Sequence, residues 1–239
     1  MNKKLDLDAE RKRTQFFDAE EWAWSLIADP RLEAVCPWEN IAEDWDEYDA
    51  GDFWYEVLMA HPGMIRHAPD PFPGEYLDAT RWAKVLLLHP ELESKVPWED
   101  LERSWDKEAR LAWMRLLVSR PRFAEYCHWE MFFSRPEQNN PNEWIKLLQH
   151  RPQFIKRYLQ LEQEMDPDDR RELIGKYEWA EIIAVRPELL CYAPVRKFGK
   201  DEWKCINARQ PQLSRKTAAK TVVGPKTPRK ARIPKAAET

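Results

Sequence analysis

Residues 82–101 read WAKVLLLHPELESKVPWEDL, and residues 22–41 read WAWSLIADPRLEAVCPWENI. Both stretches place Trp first, Leu fifth, Pro ninth, Leu eleventh, and Pro-Trp-Glu near the end. The spacing recurs along the chain. Trp is followed eight residues later by Pro at Trp22/Pro30, Trp54/Pro62, Trp82/Pro90, Trp113/Pro121, Trp144/Pro152, Trp179/Pro187 and Trp203/Pro211. Two residues past each Pro stands an apolar side chain: Leu32, Met64, Leu92, Phe123, Phe154, Leu189 and Leu213. An aliphatic residue three or four past each Trp (Leu26, Leu58, Leu86, Leu117, Leu148, Ile183, Ile206) completes the unit. Successive Trp residues lie 32, 28, 31, 31, 35 and 24 apart. The repeat is therefore about 30 residues long with loops of varying length.

The spacing has a direct physical meaning. Trp at position 0 and aliphatics at +3 and +4 share one face of a helix. Pro at +8 disfavours helical geometry in the residue before it, so the helix is predicted to end near +6. The same Pro suits the first position of a second short helix, where its missing N–H costs nothing. Pro37-Trp38-Glu39-Asn40-Ile41 and Pro97-Trp98-Glu99-Asp100-Leu101 predict a third element in two of the units, with Glu in the first turn. Trp129-Glu130-Met131 takes the equivalent place after Pro121, and Trp45 and Trp105 match each other further on. A double unit of about 60 residues is thus the larger period, with Trp22 and Trp82 one step apart.

Helices this short are unstable alone, because isolated helices need about 12–15 residues to be even marginal. They must stack on neighbours, as in a solenoid. The expected fold is all-α, a solenoid-like helical-repeat array of about seven short units over residues 15–208. A charged N-terminal segment, 1–14, is expected to be flexible. Asp70-Pro71-Phe72-Pro73-Gly74 and Arg135-Pro136-Glu137-Gln138-Asn139-Asn140-Pro141 read as surface loops, and Met165-Asp166-Pro167-Asp168-Asp169 as an insertion that opens a helix over 169–177.

The pattern Trp-x-x-x-Leu-x-x-x-Pro-x-Phe/Leu, followed in places by Cys and Trp (Pro121, Phe123, Cys127, Trp129), resembles the Trp-rich tandem repeats of bacterial proteins. The resemblance spans residues 22 to 213, although the copies here are longer and less uniform. It implies repeat architecture and carries no activity with it, since that family has no assigned function.

Composition agrees with a thin, high-surface array. The hydrophobic fraction is 43%, yet 33% of residues are charged and the mean hydropathy is −0.76. Only 6 Gly against 19 Pro and 13 Trp argue against an all-β fold, whose tight turns need residues tolerant of positive φ. Cys36, Cys127, Cys191 and Cys205 form no CxxC pair and read as reduced core residues. The opening residues lack the apolar core of a signal peptide, and no run approaches the ~18 apolar residues of a membrane span. A soluble, cytoplasmic protein without a membrane partner is the expectation.

From about Arg209 the apolar periodicity stops. Residues 209–239 hold nine Lys/Arg against Glu238 alone, a net of +8, so the remaining 29 basic and 41 acidic residues leave the body at −12. Such a segment cannot bury enough apolar surface to fold, and a disordered basic tail is expected. Arg215, Lys216, Lys220, Lys226, Arg229, Lys230, Arg232 and Lys235 are its candidate polyanion-binding residues. A solubilising terminus that touches nothing specific is the first reading of the charges, a polyanion-binding arm the second, and a segment lying against the acidic body the third.

Nothing in the chain spells out a reaction. His61 and His89 immediately precede repeat prolines and His150 lies two before one, which makes them helix-end residues rather than metal ligands; His67 and His128 add no ligand spacing. The acidic run Glu39, Glu43, Asp44, Asp46, Glu47 and Asp49 reads as a solvated face, and Asp166-x-Asp168-Asp169 lacks the Gly and Glu of a calcium loop. There is no phosphate-cradling Gly-rich loop, nucleophile elbow or zinc-protease motif. No catalytic residue, metal site or cofactor is therefore assigned. The repeat-phased Trp residues read as core; Trp24 and Tyr55, next to anchor Trp residues, fall on another helix face. The function these features favour is a non-enzymatic scaffold for protein–protein interaction with an unidentified protein partner. The alternatives are a nucleic-acid-associated protein binding through the basic tail, and an enzyme or toxin-system component whose site has no motif.

Overall fold

The computed structural model of the chain describes residues 6–43, 45–101, 105–132, 141–164 and 174–213. Among them every regular element is a helix. The α-helices are α1 (Leu7–Arg13), α2 (Ala19–Ala28), α3 (Trp38–Glu43), α4 (Glu47–Ala60), α5 (Ala79–Leu88), α6 (Lys107–Ser119), α7 (Pro141–His150), α8 (Ile155–Glu164), α9 (Lys176–Val185) and α10 (Lys200–Arg209). Contacts divide the chain into two compact units, Met1–Gln138 and Asn139–Thr239. Helix α1 lies inside the segment 1–14 and is capped by Asp6, whose carboxylate accepts from the Ala9 N–H. The helix expected over 169–177 falls largely outside the described residues, with Lys176 and Tyr177 opening α9. The loop at 135–141 also lies outside them, apart from Pro141 at the start of α7. So do Arg215 through Lys235 and the expected tail from residue 214 on, while Arg209, the expected start of that tail, is the last residue of α10.

The repeat grammar is realised copy by copy. Helices α2, α4, α5, α6, α7, α9 and α10 each carry one anchor Trp and each end six residues after it. The next residue leaves the helical region, with φ between −140° and −121° and ψ between 67° and 92° for Asp29, His61, His89, Arg120, Arg151, Arg186 and Gln210. The following Pro disfavours the α region there, so the helix stops. In six copies Pro then opens a tight 3₁₀ helix, from Pro30–Ala34 to Pro187–Cys191. The anchors are 0–8% exposed, and the aliphatic partners at +3 or +4 are completely buried.

In the first unit α2 packs on α4 and α5 on α6, and the pairs repeat in detail. The first member of each pair has 10 residues, the second 14 or 13. All four start behind an Asp (Asp18, Asp46, Asp78, Asp106) whose carboxylate accepts the backbone N–H three residues on, at 2.7–2.9 Å. The third element fills the space beyond the anchors. Trp38 stacks on Trp54, and Trp98 meets Trp113 edge-on. Between the pairs the segment after Pro62 supplies Phe72 instead, whose ring sits edge-on to both Trp54 and Trp82 at 6.0 and 5.3 Å. Phe72, Tyr76 and Leu77 are buried. The stretch read as a surface loop is therefore exposed only in part, because its aromatic ring substitutes for a missing third-element Trp. Gly51 on α4 permits this approach, since a Cβ there would stand 2.3 Å from the Tyr76 carbonyl oxygen.

In the second unit Tyr158 of α8 plays the filling role, edge-on to Trp144 and Trp179 at 5.1 and 6.1 Å. Helix α9 packs on both α7 and α10. The four cysteines form no disulfide; Cys36 and Cys127 are buried, and burial raises the Cys36 thiol pKa well above its ordinary range, with Glu33 adding to the shift.

Candidate functional site

Two constructions stand out above the repeat core. The first is a clasp made in five copies by the residue just before the repeat Pro. His61 Nε2 bonds the Ile27 carbonyl at 3.2 Å, His89 Nε2 bonds Met59 at 3.0 Å, and Arg120 Nε donates to Leu87 at 3.1 Å. In the second unit Arg186 Nε donates to the Gln149 carbonyl and Gln210 Nε2 to Ala184 at 3.2 Å. Every acceptor lies five residues after an anchor Trp, among the last carbonyls of the preceding helix, which have no partner inside that helix. A carbonyl only accepts, so the histidine Nε2 atoms carry the proton. In the first copy the position holds Asp29, which pairs with Arg31 of its own turn. The clasp gives His61 and His89 a structural role.

A related latch joins neighbouring 3₁₀ turns. Glu33 accepts from Arg66 and His67, while His67 stacks on Trp38 with centroids 4.3 Å apart. One double unit later Glu93 pairs with Arg122 at 2.8 Å, and Tyr126 stacks on Trp98 at 4.0 Å. Burial pulls the Glu33 pKa up, but the hydrogen bond from His67 and the charge of Arg66 beside it outweigh that and hold the carboxyl below its usual range. The Tyr126 hydroxyl is shifted upward, first by its hydrogen bond to Glu93 and then by desolvation.

The second construction is a groove of about 980 Å³ in the first unit, lined by α2, α4 and the starts of α5 and α6. Its residues come from positions such as −2, +2 and +5 relative to the anchors. At about 100° per residue these lie roughly 140–200° around each helix from the buried Trp. The walls carry seven carboxylates against two cations, Arg81 and Lys84. Asp78 and Asp106 are committed as helix caps, and Asp52 pairs with Arg81. The side-chain carboxylates of Glu20, Asp49 and Glu108 make no hydrogen bond or ion pair among the described residues.

Besides the buried Phe53, two aromatic side chains line this groove, and both are the ones that broke the repeat phase in the sequence. Tyr55 is half-buried, with the Arg81 guanidinium 5.6 Å and the Lys84 ammonium 5.9 Å from its ring centre. Desolvation raises the Tyr55 hydroxyl pKa, with Glu56 and Asp78 adding to the shift and Arg81 opposing it. Trp24 is 68% exposed and makes no ring or cation contact among the described residues. Ile27 stands one turn further along the same helix, partly exposed.

Among the described residues no three His, Cys, Asp or Glu side chains come together as a metal site, and no helix is long and apolar enough to cross a membrane. Of the acidic run, Asp46 caps α4, Asp49 reaches the groove and Glu39 is exposed; Asp44 lies outside the described residues. In comparisons with known proteins, no family model, curated protein or solved structure matches the chain. The fold itself defines the class: an all-α helical-repeat array.

Proposed function

We propose that the protein is a non-enzymatic repeat scaffold that binds another protein through the α2/α4/α5 groove. The observation that carries this reading is Trp24. The anchor Trp residues are 8% exposed or less, whereas Trp24 presents a large ring to solvent on the opposite side of its helix, in a groove with Ile27 and Tyr55 beside it. Large exposed aromatics in a groove act as binding anchors, and Trp and Tyr dominate the energetics of protein interfaces. Repeat arrays use the surface that stacking generates in the same way.

The test is site-specific photo-crosslinking in the native cell, with a crosslinking amino acid at Ile27 and a control at Glu91. The expected result is a discrete adduct from position 27 that disappears when Trp24 is also changed to Ala. Equal adducts from both positions, or none from position 27, would remove the groove from the reading.

A second reading rests on the charge split, +8 over residues 209–239 against −12 for the rest. The groove repels phosphates, so any affinity for nucleic acid belongs to Arg215, Lys216, Lys220, Lys226, Arg229, Lys230, Arg232 and Lys235. Binding to an arbitrary duplex should then be sequence-independent and weaken steeply with salt. Replacing these eight residues by Gln should abolish it; unchanged binding by that variant would refute the assignment.

A further inference from the structure

The groove's lining bears on the kind of partner it could take. In the second copy Tyr55 receives two cations from the next helix, Arg81 at position −1 and Lys84 at +2 relative to Trp82. Asp52 on the same helix as Tyr55 completes the pairing with Arg81. The groove thus already contains one worked case of cation capture by an aromatic ring and a carboxylate. In the copy before, the +2 position that holds Lys84 holds Glu56 instead. Trp24 lines the groove together with that carboxylate, and its own helix adds Glu20 one turn back. The ring is exposed, it is the best of the aromatic faces for a cation, and the Glu20, Asp49 and Glu56 carboxylates in the same groove make no ion pair among the described residues.

We infer that the groove recognises a Lys/Arg-rich segment of a partner protein, with one cationic side chain over the Trp24 ring and flanking bases paired to Glu20, Asp49 and Glu56. This rests on the scaffold reading and deepens it. Charge complementarity selects the occupant: an acidic or phosphorylated segment would add to an existing excess of five negative charges in the walls. A purely apolar helix would bury those carboxylates without partners, which is costly. A basic segment satisfies both the ring and the acids.

The experiment uses the full chain and three short fluorescein-labelled peptides of equal length: one alternating Arg and Lys with Gly and Ser, one with Gln at each basic position, and one with Glu. The expected result is anisotropy-detected binding of the basic peptide alone, weakening with salt. Trp24→Ala should weaken it about tenfold and Trp24→Phe less, in keeping with the strength of a partly desolvated cation–π contact. A triple variant Glu20→Gln, Asp49→Asn, Glu56→Gln should weaken it and flatten the salt dependence. These residues are exposed or line the surface, so an unchanged melting temperature verifies the fold of each variant. Equal binding of the Gln peptide would overturn the cationic class while leaving the groove as a docking site. Peptide binding that ignores Trp24 would overturn the placement. Absence of peptide binding, together with no crosslink from position 27, would remove the scaffold reading as well. A large gain in peptide affinity on replacing the bases of 215–235 by Gln would overturn the partner assignment in favour of this chain's own basic segment.

Discussion

Residues 6–132 and 141–213 solve the same packing problem with different fillers. Both units hang on buried Trp residues with an aliphatic partner at +3 or +4, end each helix six residues later, and clasp the preceding helix with a donor just before Pro. The first unit adds Asp caps, third-element Trp residues and a double period. The second starts α9 and α10 behind Gly175 and Gly199 and fills its centre with Tyr158. What both keep is the part fixed by helix phase and chain termination. What differs is whichever ring happens to fill the gap, and a gap accepts any aromatic of suitable size.

The comparison breaks first at the anchors if it breaks at all. Trp113→Ala and Trp179→Ala should each cost about 3–5 kcal/mol, typical of large buried aromatics. A markedly cheaper Trp179→Ala, measured by urea melts, would mean that the second unit does not rest on its anchors. Phe in place of Trp sharpens the point. Trp113 donates to the Ala79 carbonyl at 3.0 Å, whereas the buried indole N–H of Trp54 has no partner among the described residues. Trp113→Phe should therefore be the more damaging of the two.

The fillers come next. Phe72→Ala and Tyr158→Ala leave cavities between anchors and should cost about 3 kcal/mol each. Gly51→Ala forces a methyl against a backbone carbonyl and should cost about 1–3 kcal/mol, the range for overpacking. A neutral Gly51→Ala would show that the Phe72 segment does not pack on α4 in solution.

Loss of one clasp is smaller. Arg120→Met and Gln210→Met each remove a side-chain donor from a helix-end carbonyl and should cost about 1 kcal/mol. If Arg120→Met cost nothing while Gln210→Met did, the two units would differ in how their copies are joined.

The smallest effect is the pH dependence of the Glu33 latch. His67 and Arg66 hold the folded carboxyl below its ordinary value, against the pull of burial. Its contribution is complete above the usual Glu range and is lost as pH falls through the lowered folded value. Glu33→Gln should lower the melting temperature slightly at neutral pH, and the difference from wild type should vanish in acid. A gap that stayed constant down to pH ~3 would remove the latch from the pH dependence of stability.

Sequence by itself determined the repeat: seven Trp/Pro units, their helical phase and the point where each helix stops. Pro acts through covalent geometry on its immediate neighbour, so its effect at +6 and +7 is local and readable without tertiary structure. Trp24 and Tyr55 were legible as off-phase residues for the same reason, since helical phase depends only on spacing. The structure alone decided the rest. The clasp was hidden because His, Arg and Gln look unrelated until their common acceptor, five residues after the previous anchor, is in place. Phe72 read as a loop residue because Pro and Gly surround it, and its burial depends on the space left between Trp54 and Trp82. Which off-phase residues share a groove, and with what charge, follows from how α2, α4 and α5 pack together. Packing places side chains in contact across about thirty residues of chain, and no local spacing rule reaches that far.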